Sequence, residues 1–196
     1  MVGNIANFMK IDLMRCLLRI KKPVSRSLLS KSLGLGEGTI RSVLDILKSR
    51  GYLESSNAGH YLSEKGSIIA KKIKDNMDMR QINKILMFPN KKVIAIKMRK
   101  PPKKVNVVAL RDEAVKNGAE GAVILKYDKK LRFYDFDYKE DLSEMENKLE
   151  LGKNDLAIVA YADSFKLAEY GAIAAAININ SNLLSMVNKL NSRRRI

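Results

Sequence analysis

Residues 37–50, EGTIRSVLDILKSR, do most to narrow what this chain can become. Ile40, Val43, Leu44 and Leu47 recur at i, i+3, i+4 and i+7, the spacing of one buried helix face. The opposite face then carries Gly38, Thr39, Arg41, Ser42, Asp45 and Lys48, small and polar toward the helix N-terminus. Upstream, Leu28, Leu29 and Leu33 mark a shorter helix that Ser25 can cap. Gly34, Gly36 and Gly38 lie where the two helices must meet, and residues without a Cβ let them meet closely at a sharp angle. The same glycines could suggest a loop that cradles phosphate. That reading fails on spacing, on the absence of a following Lys-Ser/Thr pair, and on the lack of a preceding strand.

The segment after this helix extends the pattern. Tyr52-Leu53-Glu54 and His60-Tyr61-Leu62 flank Ser55-Ser56-Asn57-Ala58-Gly59, a turn whose Asn and Gly tolerate positive φ. Ser63, with Gly66 after it, opens a further helix whose apolar stripe runs through Ile69, Ile73, Met77, Ile82, Ile85 and Leu86. Before it all, residues 5–20 place Ile5, Phe8, Met9, Leu13, Cys16, Leu17 and Ile20 on one stripe. Helix, turn, helix and hairpin in this order predict a winged helix-turn-helix domain over residues 1–87. The 37–50 helix would enter the major groove, with a wing at 52–62. Arg26, Gly38, Thr39, Arg41, Ser42, Lys48, Asn57 and His60 are the expected DNA contacts. Thr39 and Ser42 can bond base edges or phosphates, and Arg41 can grip a guanine or a phosphate. His60 is the only histidine, and a lone strand histidine is expected to be structural or at most a phosphate contact.

Charge supports a polyanionic partner. The net charge is +16, and it is unevenly placed: residues 80–104 carry nine basic side chains and no acid, whereas residues 105–192 are slightly acidic. Lys103 and Lys104 are therefore expected as non-specific phosphate contacts, with Arg193, Arg194 and Arg195 as a basic tail. One cysteine, Cys16, offers no internal disulfide and suits a reducing cytoplasm. Its place on an apolar stripe marks a small buried hydrophobe rather than a nucleophile. No apolar run approaches the roughly 18 residues of a membrane span. The first residues lack the basic start and apolar core of a signal peptide, so a cytoplasmic protein without membrane contact is expected. With one His and one Cys, neither a metal site nor a cofactor is expected.

Residues 87–90, with Pro89, read as a boundary, and residues 91–196 as a second domain. Strands are predicted at 93–98, 105–110, 121–127, 131–134 and 156–160, and helices at 111–117, 142–151, from Asp163 through the alanine-rich stretch, and 181–190. The fold class is α+β: the winged-helix domain followed by a small α/β sandwich-type domain. Arg111, Asp112 and Glu113 then fall where a strand ends and a helix begins, a place where α/β domains bind ligands, and form a candidate effector site. Asp112 and Glu113 also suit a helix N-terminus with no ligand at all. Asp135, Asp137, Glu140 and Asp141, interleaved with Phe133, Tyr134, Phe136 and Tyr138, make an acidic aromatic patch expected to be a solvated edge.

The runs GLGEGTIRSVLDIL, GHYLSEKG, LRDEAVKNGAEGAVIL and GKNDLAIVAYA make the chain resemble a family of uncharacterised archaeal proteins over about residues 10–190. Those proteins join an N-terminal winged helix to a C-terminal domain of unknown function and are described as transcriptional regulators. The resemblance implies the two-domain layout and a regulatory role, and it implies no ligand. The expected function is a DNA-binding transcriptional regulator. The second domain would serve for homodimerisation and for sensing a small-molecule effector. The alternatives are an architectural, nucleoid-associated protein with little sequence preference and, further off, an enzyme carrying a winged-helix module. No His, Cys or metal-ligand cluster in residues 91–196 supports catalysis, so the chain is expected not to be an enzyme.

Overall fold

The computed structural model describes residues 8–83, 87–137 and 140–192. Among them the chain forms eight helices and seven strands, in two compact units: Met1–Ile73 with Ser185–Ile196, and Lys74–Leu184. The architecture is mixed α+β, a helical N-terminal part followed by an α/β part. The units divide well ahead of the break expected at residues 87–91, and the chain's last helix ends in the first unit. There the Arg50 guanidinium donates to the carbonyls of Leu190 and Asn191, the latter at 3.0 Å.

In the first unit α1 (Lys10–Arg19), α2 (Arg26–Leu33) and α3 (Glu37–Ser49) pack together, with Leu13, Cys16, Leu17, Leu29, Leu33, Ile40, Val43 and Leu47 almost wholly buried. Each large apolar side chain removed from water in this way stabilises the unit by roughly 1.5–3 kcal/mol. Ser25 caps α2, its Oγ accepting from the Leu28 amide at 3.3 Å. Gly34 ends that helix in the left-handed region at φ 63°, and Leu35 then turns back into the core. A two-stranded hairpin follows, β1 (Leu53–Ser56) and β2 (Gly59–Leu62), then α4 (Glu64–Asn76), capped by the Ser63 hydroxyl on the Gly66 amide at 3.0 Å. Ile5 and Arg193–Arg195 of the expected stripe and tail lie outside the described residues.

The second unit is a five-stranded antiparallel sheet in the order β3-β4-β7-β5-β6. Its strands are β3 (Met77–Ile82), β4 (Lys92–Met98), β5 (Gly121–Asp128), β6 (Lys130–Phe133) and β7 (Leu156–Ala162). Three helices accompany it, α5 (Val107–Lys116), α6 (Ser143–Leu149) and α7 (Phe165–Ile179), while α8 (Ser181–Asn191) begins here and belongs from Ser185 on to the first unit. β4 and β7 are central and covered on both faces, which is why they read as near-continuous apolar runs. Val93, Ala95, Leu125, Ala157 and Val159 face Met145 and Leu149 of α6. Their neighbours in register, Ile94, Ile96, Ile124, Ile158 and Ala160, lie under α5 and α7, where Ala168, Ala172, Ala175 and Ala176 allow close approach.

Two expected elements are corrected. Residues 105–110, expected as a strand, contain the first turns of α5. The Asn106 side chain accepts from the Ala109 amide at 3.1 Å, and Val107, Leu110 and Ala114 form its buried face at i, i+3 and i+7. The missing strand is β3, which sequence periodicity assigned to a continuing helix. Met77 and Ile82 are buried as expected, but on an extended edge strand paired from Met77↔Met98 to Ile82↔Val93. Ile85 and Leu86 lie outside the described residues.

Candidate nucleic-acid interface

The candidate interface is built on α3. Its apolar side is sealed in the core, so the remaining face is fixed outward: Gly38, Arg41 and Asp45 are exposed, and Thr39, Ser42 and Lys48 are half-buried. Gly36 at the N-cap brings no side chain to the first-turn amides, which leaves backbone donors at that end of the helix. A Cβ built on Gly38 would find no atom within 4 Å, and the residue has ordinary negative φ. Neither packing nor backbone conformation in this chain therefore requires glycine there. The Ser42 hydroxyl turns back to the Gly38 carbonyl at 3.3 Å and remains near the surface.

The hairpin is tied to the helical part through the backbone. Val24, between α1 and α2, pairs with His60 by two hydrogen bonds: the Val24 amide to the His60 carbonyl at 3.0 Å and the His60 amide to the Val24 carbonyl at 2.8 Å. Gly59 makes this approach feasible. Its φ is +120°, and a Cβ would stand 2.6 Å from the Val24 carbonyl oxygen. Asn57 and Ala58 form the exposed tip, where the Ala58 amide donates to Ser56 Oγ at 3.2 Å.

Arg26, Lys48 and His60 come from three different elements, and their fields overlap. The His60 pKa is lowered below 6.5, chiefly by burial and then by the charges of Lys48 and Arg26, with Asp45 pulling the other way. Its Nδ1 lies 2.8 Å from Ser55 Oγ. The Arg26 guanidinium reaches Glu37 in the first turn of α3 at 3.2 Å, while its Nε meets no acceptor among the described residues. Of the expected contacts, Arg26 and Lys48 are thus the cations whose charge acts on His60. Gly38, Thr39, Arg41 and Ser42 share the outward face of α3, and Asn57 marks the hairpin tip. Sequence reasoning missed the Val24 bridge and the Arg26–Glu37 pair, since both join residues distant in the chain.

The expected effector triplet does not assemble. Arg111, Asp112 and Glu113 sit in the middle of α5, not at a strand-to-helix junction, and they point to different partners. Arg111 pairs with Asp135 at 3.3 Å and lies 6.0 Å from the Phe136 ring centre, so it ties α5 to the acidic aromatic segment. Asp112 is exposed, and Glu113 accepts from the Asn117 side chain at 3.0 Å. In that aromatic segment Phe133 is buried and meets the exposed Phe136 in a tilted ring contact at 4.5 Å, and Tyr138 lies outside the described residues. Lys103 and Lys104 are both exposed. Among the described residues no three His, Cys, Asp or Glu side chains gather as metal ligands would, and no helix is long and apolar enough to cross a membrane.

Residues 11–68 match the family model described as PH0730-like, N-terminal domain, and residues 89–179 match that of a domain of unknown function, DUF4443. Among solved structures the chain is similar to the hypothetical protein PH0730 from Pyrococcus horikoshii OT3. The identity is 25% and the TM-score 0.75, over 91% of this chain and 99% of that one. No curated protein matches. These likenesses agree with the resemblance to uncharacterised archaeal proteins and with the α+β layout, and they bear on fold rather than on activity.

Proposed function

We propose that the first unit is a winged helix-turn-helix that binds double-stranded DNA, and that the chain is a transcriptional regulator acting as a homodimer. In this reading α3 enters the major groove and the β1–β2 hairpin runs beside it as the wing. The observation that carries the reading is the outward face of α3: small at Gly38, polar at Thr39 and Ser42, and cationic at Arg41, with open space over Gly38. Arg26 and Lys48, whose charges act on His60, supply the basic flank that holds phosphates, and Arg41 is the candidate for base reading.

Selection from random duplexes, followed by anisotropy titration of winners against scrambled DNA at two salt concentrations, tests it. About six phosphate contacts would give a log–log salt slope near −5. Arg41→Ala should weaken the selected duplex by about 1–3 kcal/mol and the scrambled one far less. An unchanged affinity would remove Arg41 from the interface. The +16 charge and the acid-free stretch 80–104 favour one second reading, an architectural protein that holds DNA without choosing a sequence. A ratio of specific to non-specific affinity near one would put that reading first.

A further inference from the structure

The second unit contains a cavity of about 600 Å³, inside the range of roughly 300–1,000 Å³ that small-molecule sites occupy. It lies where the β4–α5 loop, the β5–β6 hairpin and the start of β7 meet. Its polar groups are largely uncommitted. Lys103 makes no ion pair among the described residues. The hydroxyls of Tyr127 and Tyr134 and the side-chain amide of Asn154 likewise make no hydrogen bond there. Lys126 holds its Nζ 5.5 Å over one face of the Tyr134 ring, so a cation and an aromatic ring meet at the wall.

The acid that lines the same wall is already neutralised. Asp155 Oδ2 accepts from the Gly152 amide at 2.8 Å and lies 3.6 Å from the ammonium of Lys97, a lysine only 7% exposed that also donates to the Glu150 carbonyl. Asp128, on the exposed rim, is the remaining carboxylate, so after the Lys97–Asp155 pair the lining keeps two cations against one acid. Pro101, Val105 and Leu156 supply apolar wall. A second cavity of this unit differs in this respect, since its Lys91 is engaged at once by Glu120 at 2.6 Å and Asp163 at 2.8 Å.

We propose that this cavity binds a small planar organic anion, with its ring against Tyr134 and its carboxylate, sulfonate or phosphate on Lys126 and Lys103. An offset ring stack and a charge-assisted hydrogen bond are then made together, and each needs the other's geometry. This site replaces the Arg111–Glu113 triplet as the ligand-binding feature of the unit, and it stands whether or not the first unit binds DNA.

The test uses the full chain, labelled with ¹⁵N, and three probes: naphthalene-2-carboxylate, the neutral naphthalene-2-carboxamide, and acetate, which has the charge without the ring. The carboxylate should shift the amides of Lys126, Tyr127, Tyr134 and Asp155 saturably, with at least tenfold weaker binding for the other two probes. Lys126→Gln, at an exposed position that leaves the sheet intact, should weaken the carboxylate at least tenfold, and Lys103→Gln should weaken it less. Equal binding of carboxylate and carboxamide, shifts scattered over surface lysines, no saturable shift, or an unaffected Lys126→Gln variant would each overturn the proposal. No DNA is present, so failure here leaves the nucleic-acid reading untouched.

Discussion

Gly38→Ala separates two quantities that usually move together. Gly38 is the second residue of α3, exposed, with negative φ and nothing within 4 Å of where a methyl would stand. The folded chain can therefore accept alanine without strain. The substitution mainly reduces the freedom of the unfolded chain, a gain of about 0.4–1 kcal/mol. The lower half of that range applies here, because helix propensity acts less in the first turn than in mid-helix. For a unit of this size the unfolding midpoint should rise by about 2–6 °C. The same methyl projects from the face proposed to meet DNA. Forcing it into a close-packed interface costs about 1–3 kcal/mol, which is roughly a fivefold to 150-fold loss of affinity for a selected duplex. Thermal melts by circular dichroism and anisotropy titrations on the same preparation read both effects. A variant that is more stable and binds as tightly as before would refute the placement of Gly38 at the DNA surface. A lower midpoint would refute the open space above it.

Cys16 is fully buried, and burial, aided by the nearby Asp12 carboxylate, pushes its thiol up to about 12, with Arg15 opposing. At neutral pH the thiolate is scarce and inaccessible, so a thiol reagent should label the native chain only as fast as the first unit opens. Immediate labelling in native buffer would contradict that burial. His60 is held below its ordinary pKa of 6.5, so the unfolded chain binds the proton more readily. Its contribution to stability is present above about pH 6.5 and is lost as the pH falls through the lower folded value. The midpoint of the wild type should therefore drop more between pH 7 and 5 than that of His60→Gln, and parallel curves would exclude the effect.

How much of this was legible in the sequence follows from the range over which each interaction acts. α3 was legible because Ile40, Val43, Leu44 and Leu47 repeat within two turns and glycines bracket the run. β4 and β7 were legible because strands covered on both faces are apolar throughout. β3 was not: in MDMRQI the edge strand alternates Met and polar residues so briefly that a helix fits as well, and only pairing with β4 decides. At α5 the local signals conflict: Asn106 and the i, i+3, i+7 spacing favour a helix, while β-branched Val105, Val107 and Val108 favour a strand. The Lys103, Lys126, Tyr134 and Asn154 cavity draws on separate segments, and no local pattern can announce it.

The Asp12–Arg15 pair shows the same limit and carries a sharper consequence. Both side chains are buried to 1% exposure or less, on a helix whose apolar stripe gave no sign of them. Arg15 donates to Asp12 at 2.7 Å and to the Leu33 carbonyl at 2.9 Å, at the end of α2. Asp12 in turn accepts from the Met9 amide at 2.9 Å, ahead of α1. One guanidinium thus caps α2 where its dipole favours a cation and links it to α1, just before the turn into α3. Arg15→Met takes the guanidinium away from a buried carboxylate and should destabilise the unit by about 3–5 kcal/mol. Asp12→Leu combined with Arg15→Met removes both charges together. Among what it then loses are the hydrogen bonds to the Met9 amide and the Leu33 carbonyl, at about 1–3 kcal/mol for each group left unsatisfied. If the Met9 amide, near the surface, turns to water, the double variant should be the more stable of the two, despite carrying the extra substitution. Urea unfolding followed through Cys16 labelling can rank them. A double variant as unstable as Arg15→Met would mean that the bond to Leu33, rather than the balance of buried charge, sets the stability of this corner.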